Sequence, residues 1–266
     1  MKSFHNNTFP GICLIAAFAM VLNGCKKESS SISPPDDNST ITSQTNLVTS
    51  VGEPVILCNG KAQSFVCKDA KGNPVSIGFV FSEEALNHLP KDMTMTHIPV
   101  PKNHGTLVDH ISVDFEPHGH EPAGIYDKPH FDIHFYMISE AQQMMIDNGP
   151  EMEKLPPAEF IPANYQAIPG GVPMMGKHWA DVTSKEFHGQ LFDRTYIYGS
   201  YNGEFIFHEP MVTIAYFKSK QSFNDPIVQQ PKVQKAGYYP TTYSVTYEAS
   251  EKRYKVMLGG LKMRNL

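Results

Sequence analysis

Apolar and polar residues alternate in short runs along this chain, and the alternation predicts strands far more often than helices. Phe65–Lys68 and Val75–Phe81 read as strands flanking a turn at Lys71-Gly72-Asn73-Pro74. Leu107, Asp109, Ile111, Val113 and Phe115 alternate with Val108, His110, Ser112 and Asp114, which predicts a half-buried strand. In residues 130–136 (HFDIHFY), His130, Asp132, His134 and Tyr136 share one face of an extended strand, with Phe131, Ile133 and Phe135 on the other. The Phe/Ile face belongs against a core. Asn202-Gly203 is a strong hairpin signal inside Arg194–Glu209. A two-residue loop there pairs Tyr201 with Glu204, Tyr198 with Phe207 and Tyr196 with Glu209, and puts Phe205 and Phe207 on one face with Glu209. Met211–Phe217 reads as a continuing strand. Thr242–Glu248 and Arg253–Leu258 read as a last hairpin turning through Ala249–Lys252.

Helix signals are few. Ser82 precedes Glu83 and Glu84 as an N-cap would, which predicts a short helix to Leu89, stopped by Pro90. Ser139 caps a second, Ser139–Asn148, ended by Gly149-Pro150. Prolines at 150, 156, 157, 162, 169 and 173 break regular structure between 150 and 173, so that stretch is either functional or wraps a sheet. The fold expected is mainly β (α+β): an antiparallel β-sandwich or barrel-like domain with two short helices.

The start of the chain has a different texture. Lys2 and the apolar run Gly11–Leu22 form the n- and h-regions of an export signal, too short to span a bilayer. Leu22-Asn23-Gly24-Cys25 resembles the lipobox of bacterial lipoproteins, which implies cleavage before Cys25 and lipidation of that residue; Asn23 departs mildly from the usual pattern. The expected organisation is therefore a signal peptide over 1–24, a lipid-anchored tether over 25–53 and one β-rich domain over 54–266. The tether is rich in Ser, Thr, Asn and Asp, and cannot offset its ordering entropy by burial. The implied location is a bacterial cell envelope, on the periplasmic or surface side, with the membrane engaged through the lipid.

Of four cysteines, Cys13 leaves with the signal and Cys25 carries lipid, so Cys58 and Cys67 remain. In an oxidising compartment the expected state of this pair is a disulfide, with free thiols or a soft-metal pair as alternatives. A formal net charge of −5 and the lack of any basic block exclude a nucleic-acid partner.

Candidate chemistry sits in three segments. Four of twelve histidines fall in residues 117–136: His118, His120, His130 and His134, with Asp132 among them. Gly176–Asp181 adds His178 and Asp181, and Glu209 follows the aromatic hairpin strand, where a carboxylate is costly unless partnered. Paired imidazoles joined by a distant His or carboxylate suit zinc or iron. The expected metal ligands are His118, His120, His130, His134, His178 and Glu209, with Asp132 and Asp181 supporting them. The expected cofactor is a divalent ion: zinc, iron, manganese or copper. The bland alternative is that these histidines are turn residues or satisfied core groups, as His88, His97, His104, His188 and His208 are expected to be. A Gly-x-Ser-x-Gly elbow, a phosphate-binding glycine loop, an H-E-x-x-H pair and the cupin pattern are all absent from the sequence.

The runs PHGHEP…YDKPHFDIHFY, MGKHWADV and YIYGSYNGEFIFHEPMVT together resemble a family of uncharacterised bacterial envelope proteins. Its best-known relative is a Thermus protein under a sigma-E type stress factor. The resemblance covers roughly 70–260 and implies an exported, mostly β domain. It supplies no reaction and no catalytic residues. Two functions follow as expectations. One is a metal-assisted hydrolase or oxygen-handling enzyme with Glu209 or Asp132 as base. The other is a non-catalytic, stress-related envelope protein that binds a small ligand or assembles with copies of itself.

Overall fold

The alternation along residues 130–136 becomes the central feature of the fold. A computed structural model describes residues 47–266. The expected signal peptide, the expected lipidation site at Cys25 and most of the expected tether lie outside the described residues. In chain order the strands are β1 (Val48–Val51), β2 (Val55–Leu57), β3 (Gly60–Lys68), β4 (Pro74–Ser82), β5 (Thr94–Pro99) and β6 (His110–Glu116). Then come β7 (His130–Tyr136), β8 (Tyr165–Ala167), β9 (Lys177–Asp181), β10 (Arg194–Tyr201) and β11 (Glu204–Thr213). The last are β12 (Phe223–Pro226), β13 (Gly237–Tyr239), β14 (Thr242–Glu248), β15 (Arg253–Gly259) and β16 (Lys262–Arg264). The helices are α1 (Glu140–Gln143) and α2 (Ile214–Lys218).

Two seven-stranded antiparallel sheets face each other. The first runs β1-β3-β4-β15-β14-β12, with β2 also on β3; the second runs β5-β6-β7-β11-β10-β9-β8. Neither closes into a barrel, so the sandwich alternative of the sequence reading holds. Between the sheets lies one large apolar core. Ile77, Phe79, Phe81 and Val256 from the first sheet meet Ile111, Val113, Phe131, Ile133, Phe135 and Tyr196 from the second. Phe81 and Phe131 meet edge to face at 6.1 Å, an arrangement favoured by the ring quadrupoles. The inward Phe/Ile face of β7 is thus where the alternation places it. Its other face, with His130, Asp132, His134 and Tyr136, points away from the first sheet and is nevertheless fully buried.

What buries it is the proline-rich stretch and its neighbours. Met152 and Met175 pack on Tyr136, Ile206 and Phe207 at one end. Tyr126 and Phe192 pack on Ala180, Ile197 and Met211 at the other. The loops wrap the second sheet, leaving a polar stripe between two small apolar clusters.

Several expectations change. Tyr201 does pair with Glu204, but a bulge shifts the register, and Tyr198 pairs with His208 and Ile197 with Glu209. Ser200 and Gly199 stand opposite Phe205 and Phe207, so β11 carries the extra residue. The bulge resets the alternation: Phe205 stays in the inner core, while Ile206 and Phe207 both join the outer cluster. Phe207 can lie there because Gly199 has no side chain; a Cβ on Gly199 would sit 1.9 Å from its ring. The strand expected over Met211–Phe217 ends at Thr213, whose side chain accepts from Tyr216 N and caps α2. The helix expected after Ser82 is a single 3-10 turn, Glu83–Leu86. The second is shorter than its pattern, though Ser139 and Gln142 form a reciprocal capping box. β1 falls inside the segment assigned to the tether and pairs with β3.

The Cys58–Cys67 bridge is corrected: both thiols are free. Cys58 opens the β2–β3 turn with φ 49°, whereas Cys67 lies near the far end of β3. Seven strand steps of ~3.3 Å from Gly60 carry Cys67 ~23 Å away, far beyond the Cα separation of a disulfide. The hairpin that the Asn59-Gly60 turn starts is what separates them. Among the described residues, no helix is long and apolar enough to cross a membrane.

Candidate metal centre

Antiparallel pairing assembles the site from five neighbouring strands. Asp114 of β6 stands opposite Asp132 of β7, Ser112 opposite His134 and Glu116 opposite His130. On the other side Met211 pairs with Asp132 and Phe207 with Tyr136, so Glu209 falls level with His134 in the same register. His178 of β9 pairs with Gly199, which pairs with Phe207. Imidazoles and carboxylates from separated segments therefore meet on one sheet face.

They meet as two groups. In the first, His120 Nε2 lies 3.3 Å from Asp132 Oδ2, and His130 Nε2 lies 2.8 Å from Asp132 Oδ1. In the second, His134 Nε2 lies 3.7 Å from Glu209 Oε1, and His178 Nε2 lies 3.6 Å from Glu209 Oε2. Each group of three ligand atoms falls within 4.8 Å, the size of a metal coordination shell. Asp132 and His134 are two residues apart on β7, so the groups sit ~7 Å from one another along the strand.

Hydrogen bonding distinguishes this arrangement from ordinary buried ion pairs. His130 Nε2, Asp132 Oδ1, His134 Nε2 and both Glu209 oxygens are buried without an aligned hydrogen-bond partner, although opposite charges stand close by. The remote ring nitrogens of His130 and His120, in contrast, are anchored. His130 Nδ1 donates to the Lys128 carbonyl at 2.6 Å and His120 Nδ1 to the Glu121 carbonyl at 2.7 Å. His134 Nδ1 lies 3.2 Å from Asp114 Oδ2, near but not aligned for a hydrogen bond, and Ser112 donates to Asp114 Oδ1 at 2.8 Å. The two carbonyl contacts fix the tautomer that turns the Nε2 atoms of His120 and His130 toward Asp132.

Burial and charge compete here. Burial pulls the His120 imidazole down, but the Asp132 carboxylate overrides it and holds the group up at about 9. His134 is likewise pulled down by burial and held up at about 9 by Glu209 and Asp114. Burial pushes Glu209 up to about 8, against the pull of His134. His178 drops to about 3, through burial and then the charges on His134 and His120.

A pocket of about 390 Å³ opens onto both groups, reached by His120 and Asp132 of one and His178 of the other. His120, His130, His134, His178 and Glu209 are all in the groups. His118 is not: β6 ends at Glu116 and Gly119 turns the chain at φ 70°, so the His118-x-His120 spacing is not a strand spacing and His118 is exposed. Asp181 is also elsewhere. It lies three residues from His178 on β9, hence on the opposite face, and accepts from Thr183 N and Oγ1 at 2.9 and 2.6 Å. Asp132 stands in the ligand position instead of behind it. Asp114 went unnoticed in the sequence, though its same-face spacing with Ser112 in a strand is a signal that could have found it.

A family model described as TTHB210-like, hypothetical protein TTHB210, matches residues 69–115. The match covers β4, β5 and β6 up to Phe115, including Ser112 and Asp114, and stops before His120, His130, His134, His178 and Glu209. No curated protein and no solved structure matches the chain.

Proposed function

We propose that this chain is a cell-envelope lipoprotein whose β domain binds divalent transition-metal ions at the two histidine–carboxylate groups and uses them on a small ligand in the adjoining pocket. The observation that carries this reading is Glu209. It is 1 % exposed, both oxygens lack hydrogen bonds, and the facing nitrogens of His134 and His178 stand 3.7 and 3.6 Å away. Two ligands bound tetrahedrally at ~2.05 Å from one zinc ion are ~3.3 Å apart, so a small inward movement of three side chains completes the shell.

Two imidazoles and one carboxylate suit zinc or non-haem iron, and three protein ligands leave a coordination position open, as catalytic sites require. The ion would supply Lewis acidity and an acidified water. The chain's own groups hold the geometry: Lys128 and Glu121 carbonyls orient His130 and His120, and the Asp114 carboxylate stands behind His134. The alternative is a non-catalytic, stress-related protein whose charged imidazoles simply neutralise carboxylates; the raised His120 and His134 favour it. Metal analysis of protein purified without an immobilised-metal column separates them. The proposal expects close to two equivalents of zinc, iron, manganese or copper per chain. Trace metal, with no uptake on incubation, supports the alternative. The anchor is tested separately, since Cys25→Ser should release the protein from the membrane fraction.

A further inference from the structure

The pocket between the two groups has walls of opposite character. One wall is apolar, from Met93, Ile168, Val172, Met175 and Ile197. The other carries His120, His178 and three carboxylates, Glu116, Glu121 and Asp132, and no lysine or arginine lines the pocket. Asp132 is 3 % exposed with Oδ1 unpartnered. Glu116 is half-buried at the end of β6, and Glu121 is exposed at the mouth. Neither glutamate side chain forms an ion pair or hydrogen bond among the described residues. Burial and then the Asp132 carboxylate push Glu116 above its ordinary range, against the pull of the His120 and His130 imidazoles.

Beside Glu116 and Glu121 an entering anion meets like charge in a partly desolvated site, whereas a cation supplies the partner that these two side chains lack. The volume suits a ligand of one or two residues rather than a polymer. We infer that the pocket takes a small ligand with an apolar body and a protonated primary amine, of the kind an apolar peptide presents at its amino terminus. Glu116 and Glu121 hold the ammonium, the Ile168–Met175 wall holds the side chain, and the neighbouring carbonyl faces His120 and His178. This deepens the metal-site reading and rests on it only for the carbonyl end.

The test compares three ligands with one body: leucinamide, neutral N-acetyl-leucinamide and anionic N-acetyl-leucine. An α-amine has a pKa of roughly 7.7–8.0, so leucinamide is mostly charged at pH 7. Calorimetry on the full chain, metal-loaded and chelator-treated, reads each affinity. Leucinamide should bind about ten-fold tighter than the neutral analogue, the scale of one charge-assisted hydrogen bond, and N-acetyl-leucine should bind weakest. Glu116→Gln should bring leucinamide down to the neutral analogue while metal content and melting temperature stay unchanged; Glu121→Gln should give a smaller loss. The inference is overturned if N-acetyl-leucine binds as well as leucinamide, if Glu116→Gln leaves the preference intact, or if none of the three binds. Amine preference that persists in a chain taking up no metal would refute the metal reading alone.

Discussion

Asp114 Oδ2 stands 3.2 Å from His134 Nδ1, with both side chains fully buried and Asp114 held in turn by Ser112. A carboxylate this close behind a histidine raises its basicity as a ligand. Asp114→Asn keeps the shape and removes the charge. It should lower metal affinity by about 10–100-fold without abolishing binding, as read by competition against a chelator of known affinity. An unchanged affinity would remove Asp114 from the site.

His134→Ala and His188→Ala form a contrast pair. His134 is buried between Glu209 and Asp114, whereas His188 is exposed. The first should reduce metal content and lower the melting temperature in the presence of metal. The second should change stability by no more than about 0.5 kcal/mol, as for most surface substitutions. Equal effects in thermal unfolding and metal analysis would contradict the assignment.

The raised groups set a pH dependence. His120 and His134 move from 6.5 to about 9 and Glu209 from 4.5 to about 8 on folding. Groups held above their unfolded values stabilise at low pH and lose that contribution as pH rises through the folded values. His178, lowered to about 3, works the other way: its contribution is present above 6.5 and declines as pH falls. The metal-free chain should therefore lose stability from roughly pH 6.5 upward. Metal must displace the same protons, so its affinity should rise over that interval. The gap between melting temperatures with and without zinc should widen from pH 6.5 to 8.5. A gap that narrows would show that the imidazoles are not the ligands.

Gly199→Ala probes the floor of the site. The new Cβ would fall 1.9 Å from the Phe207 ring, which itself packs on His134 and His178 at 4.7 and 5.4 Å. Overpacking of this kind costs about 1–3 kcal/mol, and the displaced ring should weaken metal binding as well. Denaturant unfolding and metal competition read the two effects; wild-type values in both would mean that Phe207 relaxes without consequence.

The strand face His130–Asp132–His134 was legible in the sequence because a period of two is written directly into it, and so was the mostly β sandwich. Glu209 was legible as a carboxylate in need of a partner, but not the partner, since pairing between distant strands leaves no local mark. The β11 bulge was hidden because Asn202-Gly203 announces only the turn, and the extra residue near Ile206 depends on Phe207 fitting over Gly199. One misreading was to count His118 among the ligands, although the chain turns at Gly119 and leaves it exposed. Cys58 and Cys67 misled in the opposite sense: close in sequence, they are carried apart by β3. Alkylation under non-reducing conditions should label both, and a bridged peptide would contradict the hairpin geometry.

Titration of the chelator-treated chain with zinc, followed by calorimetry, tests the central claim most directly. Two equivalents should bind to the wild type. His134→Ala/His178→Ala should remove one equivalent and His120→Ala/His130→Ala the other, with each variant still folded by circular dichroism. Zinc binding no stronger than that of the same chain with all four histidines replaced would contradict the account, and would leave the two groups as buried ion pairs.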